Sequence, residues 1–133
     1  MLTLEGDRFV EVSKLSGLVL VNFWGRDCPP CVGELPLLQT FTQANRGWTI
    51  LLVCTDAPQE ARVFLQKHHI TLPALKAGAN VVALMHAAGN RSGGLPFTVM
   101  LRDGQILKTY EGGLSEAELE ALRRAGSTSE ARS

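Results

Sequence analysis

Cys28 and Cys31 stand two residues apart in the run Val-Leu-Val-Asn-Phe-Trp-Gly-Arg-Asp-Cys-Pro-Pro-Cys, where an apolar strand pattern gives way to the start of a helix. A disulfide closed across two residues is small enough to be opened readily. A thiol at a helix N-terminus is held partly as thiolate by the exposed N–H groups and the positive end of the helix dipole. Both effects favour thiol–disulfide exchange over structural bracing. Cys28 falls at the N-cap position and Cys31 about one turn in, which predicts an accessible first cysteine and a more buried second one. The competing reading is a CxxC that only caps a helix or binds a metal weakly, but the strand-to-helix junction is the setting a redox pair needs.

The neighbours of the pair bear on the direction of electron flow. Pro29 and Pro30 have no N–H, so two first-turn donors that could steady a thiolate at Cys28 are missing. The thiolate then depends on the Cys31 N–H and on the dipole. A less stabilised thiolate means a less stable reduced form and a more reducing couple. Asp27 acts in the same direction, because a carboxylate beside Cys28 disfavours a second negative charge, and Arg26 is expected to offset it in part.

Length and composition restrict the function classes. The chain has 133 residues, 45% hydrophobic and 20% charged, with a formal net charge of +0. That is one domain with a core large enough to fold without staples, and its charge balance gives no pull toward nucleic acid or membrane surfaces. Three cysteines are too few for a disulfide scaffold, and no second Cys or His pair stands at zinc-site spacing. No metal site is expected.

The elements that must position the dithiol can be read from periodicity and turn signals. Arg8 to Leu15 alternates and predicts an edge strand or hairpin arm, whereas Leu18 to Trp24 is nearly all apolar, as a central strand covered on both faces would be. Cys28 to about Ala44 reads as a helix with Leu35, Leu38 and Phe41 inward and a kink at Pro36. Trp48 to Thr55 is a second buried strand. Gln59 to His68 is a helix with Ala61, Phe64 and Leu65 inward, started by Asp56 and Pro58. Asn80 to Ala88 is a short helix with Val81, Leu84 and Met85 on one side. Phe97 to Leu101, Asp103-Gly104 and Gln105 to Tyr110 form a hairpin. Ser115-Glu116-Ala117-Glu118 is a capping box that starts a closing helix with Leu119 and Leu122 inward. The domain is expected over residues 1–125, with 126–133 a flexible tail. A βαβ unit followed by ββα is a thioredoxin-like α/β sandwich: a central mixed sheet flanked by helices, here with an N-terminal strand or hairpin extension.

Val21-Asn22-Phe23-Trp24-x-x-x-Cys28-Pro29-Pro30-Cys31, followed by Glu34, Pro36 and the separate segment Gly94-Leu95-Pro96-Phe97-Thr98, resembles the TlpA-like branch of thioredoxins, which includes the ResA and CcmG type proteins. The resemblance runs from about Leu2 to Leu122. It implies bacterial thiol-disulfide reductase activity, with Cys28 as the attacking and Cys31 as the resolving cysteine, and Glu34 as a group that tunes the thiols and relays protons. An alternative for Glu34 is a first-turn acid that only complements the dipole. The resemblance also implies a cis bond before Pro96, which would expose the backbone of Leu95 to an extended substrate. Trp24, Pro29 and Pro30 complete the expected substrate-binding rim, while Phe97 reads better as core. Two positions depart from related patterns. Asp27 replaces a Trp common in the branch, and Asn22 stands where thioredoxins proper carry a buried Asp; an amide cannot serve as a proton acceptor in its place.

The remaining chemistry-bearing residues receive plain readings. Cys54 lies in a strand and is expected to be a buried apolar residue, with a third redox cysteine as the sharper alternative. His68, His69 and His86 have no metal-site spacing, and the first two suit a helix C-terminus. The peroxidatic PxxxTxxC signature is absent. The expected function is reduction of protein disulfides, for example in maturation of cytochrome c or of an oxidase copper site. A disulfide oxidant or isomerase and a copper(I)-binding chaperone are the alternatives. The expected partners are protein disulfides and an upstream thiol donor, with no cofactor beyond the Cys28–Cys31 pair and a monomeric state. No signal peptide is legible at the N-terminus. The resemblance implies a periplasmic protein whose signal or anchor has been removed, with a cytoplasmic location as the alternative.

Overall fold

A run of seven residues with no exposed side chain, Leu18–Trp24, forms the strand around which the rest of the chain is arranged. In the computed structural model, which describes residues 8, 10–78, 85–90 and 94–132, this strand (β1) is third of five in the order β3-β2-β1-β4-β5. Helix α1 spans Pro29–Ala44, strand β2 Trp48–Cys54, helix α2 Pro58–Lys67, and strand β3 Ala74–Lys76. Strands β4 (Phe97–Arg102) and β5 (Gln105–Glu111) follow, and helix α3 (Glu116–Arg132) closes the chain. β1 runs parallel to β2 and antiparallel to β4, with Asn22 in register with Thr98, so the sheet is mixed as the element order predicts.

Alternation along β1 divides the core. Leu18, Leu20 and Trp24 lie with Leu35, Leu38 and Phe41 of α1 and with Leu119 and Leu122 of α3, while Val19, Val21 and Phe23 lie with Val99, Leu101 and Met85. A central strand buried on both faces has no solvent-facing side, which explains a run that is apolar except at Asn22. The first set is closed by Trp48, which meets Phe41 edge to face at 5.5 Å. α3 starts at the predicted capping box: Ser115 Oγ accepts from the Glu118 N–H, and Glu118 Oε1 accepts from the Ser115 N–H. The hairpin turns at Asp103 and Gly104, both in the left-handed region.

Three expectations need correction or completion. Among the described residues the N-terminal segment forms no edge strand or hairpin arm. Val12–Lys14 is a 3-10 turn, and Val10, Val12 and Leu15 pack onto the second core set. A period-two pattern marks residues with one side buried; it does not distinguish a strand in a sheet from an irregular segment laid across its face. Of the predicted helix at 80–88, residues 85–87 are helical and Met85 is buried, while Val81 and Leu84 lie outside the described residues. α3 continues as helix through Arg132, past the point where the sequence places a tail. Among the described residues, no helix is long and apolar enough to cross a membrane.

Gly126 is on the inner side of α3, and a Cβ there would stand 2.7 Å from Trp48 Cη2 and 3.2 Å from Leu18 Cδ2. Because the indole is held by Phe41, Gly126→Ala should destabilise the domain by about 1–3 kcal/mol despite its better helix propensity. Urea denaturation of the two proteins checks the sign.

Candidate active site

The chain leaves β1 at Trp24, turns through Gly25 to Asp27, and enters α1 with Cys28 as N-cap in an extended conformation. The Cys28 N–H donates to Gly25 O at 3.2 Å, which closes the turn. Cys28 and Cys31 form a disulfide across the first turn, with Cα atoms 5.2 Å apart. Cys28 is half-buried and Cys31 has no exposed surface, in agreement with the predicted accessible and buried pair. Pro29 and Pro30 occupy the first helical positions, where missing N–H groups cost the helix nothing. The donor left to Cys28 is the Cys31 N–H, 3.3 Å from Cys28 Sγ.

Below the dithiol, Glu34 is one turn further along α1 and is 1% exposed. It is therefore not a surface acid that merely faces the helix dipole. Its Oε1 accepts from Asn22 Nδ2 at 2.5 Å and its Oε2 from the Leu114 N–H at 2.7 Å. Burial pushes the carboxyl above its ordinary range, the two donors pull it back, and the Glu118 carboxylate pushes it up again. The second Asn22 N–H goes to Thr98 Oγ1 at 3.0 Å, while Asn22 Oδ1 and Trp24 Nε1 are buried without a partner. Cys31 and Glu34 are three apart on the buried side of one helix, which places their Cβ atoms about 5–6 Å apart.

The peptide bond between Leu95 and Pro96 is cis, as the resemblance implies. Buried Asn90 donates from Nδ2 to Gly94 O at 2.8 Å, and Pro96 O accepts from the Gly112 N–H at 2.9 Å, so the segment is held on both sides. Leu95 is half-buried, and its Cδ1 lies 3.5 Å from where a Cβ on Gly25 would be, so it borders the turn that leads into Cys28, while Pro29 and Pro30 are exposed directly after Cys28. Trp24 does not belong to the rim. It is 0% exposed, because it occupies the α1 side of β1, where its ring packs on Phe64 at 5.7 Å. Phe97 is core, as expected.

Arg26, expected to offset Asp27 in part, is engaged by other carboxylates. Its guanidinium pairs with Glu60 at 2.7 Å and with Asp56 at 3.9 Å, while its N–H donates to Asp56 Oδ2 at 2.8 Å. Asp56 is thus tied to the active-site turn, and the N-cap of α2 is Ala57, with no side-chain cap. Cys54 is buried, and its Sγ lies 3.4 Å from Asp56 Oδ2. Burial and the Asp56 carboxylate push its thiol up to about 12. His68 and His69 are at the C-terminal end of α2, with His69 in the left-handed region. Among the described residues no group of three metal-ligating side chains converges.

Asn90 and the Leu114 N–H were not marked by the sequence, and Asp56 and Thr98 were marked only as a helix start signal and as part of the 94–98 segment, without these contacts. No local signal identifies these contacts, since Thr98 reaches Asn22, Asp56 reaches Arg26 and Leu114 reaches Glu34, all distant along the chain.

A family profile described as Redoxin matches residues 3–123. The chain belongs to the Redoxin family. It is 32% identical over 123 residues to a thiol-disulfide oxidoreductase ResA of Halalkalibacterium halodurans, covering 88% of this chain and 66% of the relative, slightly under two thirds of its length. The crystal structure of a thioredoxin-related protein from Neisseria meningitidis serogroup B superposes with a TM-score of 0.80 at 26% identity, over 95% of this chain and 98% of that one. A secreted Mycobacterium tuberculosis disulfide oxidoreductase shares the fold at TM-score 0.76 and 23% identity, over 93% of this chain and 92% of that one. The thioredoxin fold and the TlpA-like resemblance expected from the sequence both hold.

Two measurements probe this geometry. With the dithiol oxidised, the native protein should show no thiol reactive toward an alkylating reagent at pH 8, and one after denaturation, because Cys54 is buried and its thiol is held protonated. For Glu34, a folded pKa above the unfolded one means that the native state binds more protons between the two values. Its contribution is favourable below the ordinary carboxylate range and is lost as pH rises through the raised value. Glu34→Gln lacks this titration, so the stability of the wild type relative to the variant should fall over that interval. Denaturation across pH 4 to 8 would show it.

Proposed function

We propose that the chain is a thiol-disulfide oxidoreductase that works mainly as a reductant of protein disulfides on the extracytoplasmic side of the membrane, through Cys28 and Cys31. The observation that carries the reading is the dithiol itself, with an accessible sulfur at a helix N-cap and its partner fully buried one turn in. The ResA relative supports the activity. The TlpA-like resemblance and the secreted Mycobacterium tuberculosis protein support the location.

In the reduced protein the Cys28 thiolate attacks one sulfur of a partner disulfide, and the partner's second sulfur leaves as thiolate. Cys31 gives its proton to Glu34 and attacks Cys28 Sγ; the mixed disulfide breaks, the partner's first sulfur leaves, and two electrons have passed to the partner. Glu34 takes a proton more readily than an exposed carboxylate because burial raises its carboxyl, and it is the ionisable side chain one turn below Cys31 on the same buried side. Asn22, with no acidic function, acts as a donor that orients Glu34. The partner's chain is received beside Leu95 and Pro96, the segment to which the TlpA-like resemblance assigns an extended substrate. Cytochrome c or an oxidase copper-site protein is the substrate class that the resemblance favours. The dithiol needs no further cofactor, is recharged by an upstream thiol donor, and works in a monomer.

The reductant assignment follows from the scarcity of donors at Cys28: two prolines, one N–H, and an Arg26 occupied elsewhere. Equilibration with glutathione should give a reduction potential below about −200 mV, whereas a value near about −120 mV, that of a strong oxidant, would sink it. Cys31→Ser should accumulate mixed disulfides on Cys28 when expressed in an exporting bacterium. Accumulation on a Cys28→Ser variant instead would reverse the two roles.

A further inference from the structure

The connection between β5 and α3, Gly112-Gly113-Leu114, meets three separate parts of the site in three consecutive residues. The Gly112 N–H donates to Pro96 O at 2.9 Å. A Cβ on Gly113 would stand 3.3 Å from Pro30 Cβ, so the connection lies directly against the first turn of α1. The Leu114 N–H donates to Glu34 Oε2 at 2.7 Å. Gly112 is at φ +99, a conformation that costs a side-chain-bearing residue strain, and it lets the three contacts follow one another without a gap.

We propose that Gly112–Leu114 is a positioning strap that couples the proton held by Glu34 to the seating of the dithiol turn and of the cis-proline segment, so that the three respond together during turnover. The inference rests on the reductase reading for its consequence, because Glu34 receives the Cys31 proton there. Leu114 supplies one of the two donors to the carboxylate and Asn22 the other. A charge-assisted bond to a carboxylate in a dry site is strong, so protonation of Glu34 weakens the Leu114 contact and frees the strap at its Gly113 and Gly112 contacts. Ionisation draws the strap back onto Pro30 and Pro96. Among the described residues the groups around Glu34 are Asn22 from β1, Thr98 behind it on β4, Cys31 one turn before it on its own helix, and the Glu118 carboxylate from α3.

Gly113→Ala tests the strap, because its methyl must push the connection off a proline ring that is bonded into the helix backbone. The reduced protein is mixed with a small aromatic disulfide, and release of the second aromatic thiolate reports attack by Cys31. Its rate should fall on the acid side through ionisation of Glu34, and that limb should be missing in Glu34→Gln. In Gly113→Ala the limb should move up by about half a unit or more, as expected when a donor to a buried carboxylate is lengthened. A uniform loss of rate or of thermal stability with the limb unmoved would mean a merely structural role and overturn the proposal, as would a wild-type limb that survives Glu34→Gln.

Should the variant not fold, the wild type decides. In heteronuclear NMR titrations the Leu114 and Gly112 amides should shift with one common midpoint, and that midpoint should differ between the oxidised and reduced forms. A Gly112 amide that stays flat while Leu114 titrates, or two flat amides, would overturn the coupling. This readout needs no activity, so a protein that fails to reduce the disulfide would count against the reductase reading while the strap is still decided.

Discussion

A carboxylate withdrawn from water must be held by donors, and the two donors to Glu34 come from parts of the fold other than its own helix. Its own helix α1 carries the dithiol, the Asn22 amide belongs to the central strand, and the Leu114 N–H opens the approach to α3. Leaving such a group without one of these bonds would cost several kcal/mol, so the sheet, the dithiol helix and the closing helix are held in one relative placement. The same enclosure that makes the contacts obligatory raises the carboxyl above its ordinary range. One buried side chain thus links the packing of the domain to the proton chemistry of its site.

Around that anchor, the dithiol is assembled from ordinary helix-end physics. An N-cap cysteine meets the exposed end of a helix, and two prolines then remove the donors that would make its thiolate very stable. The Arg26 guanidinium next to it is engaged by Asp56 and Glu60. What remains is one N–H at 3.3 Å. The site is therefore positioned tightly and stabilised sparingly, as the proposed reductant role requires. Cys54 stands apart from this chemistry, because burial and the adjacent Asp56 hold its thiol protonated.

Much of this was legible in the chain before any coordinates. The run Leu18–Trp24, the hairpin at Asp103-Gly104, the capping box at Ser115 and the N-cap place of Cys28 depend on neighbours within a few residues, and local patterns record such neighbours faithfully. The cis bond before Pro96 followed from a resemblance and not from the residue itself. The failures share one cause. Trp24 lies beside the dithiol in sequence but faces inward, because the pleat of β1 assigns alternate residues to opposite sides. Arg26 is close to Cys28 along the chain and yet turns to Glu60, thirty-four residues on. Val10 and Val12, alternate in the N-terminal segment, do turn inward, but they pack across a sheet face instead of pairing at an edge.

By itself, the sequence determined that a redox pair would sit at a strand-to-helix junction in a mixed α/β sandwich, since spacing, caps and periodicity are properties of short stretches. Only the tertiary structure decided what the pair would be surrounded by. Glu34 becomes a buried carboxylate, and not a surface acid, because Asn22 and Leu114, 12 positions before and 80 after it, deliver their N–H groups to its two oxygens. Distances of that kind are set by the closing of the sheet and the docking of α3. No window of residues around Glu34 contains them.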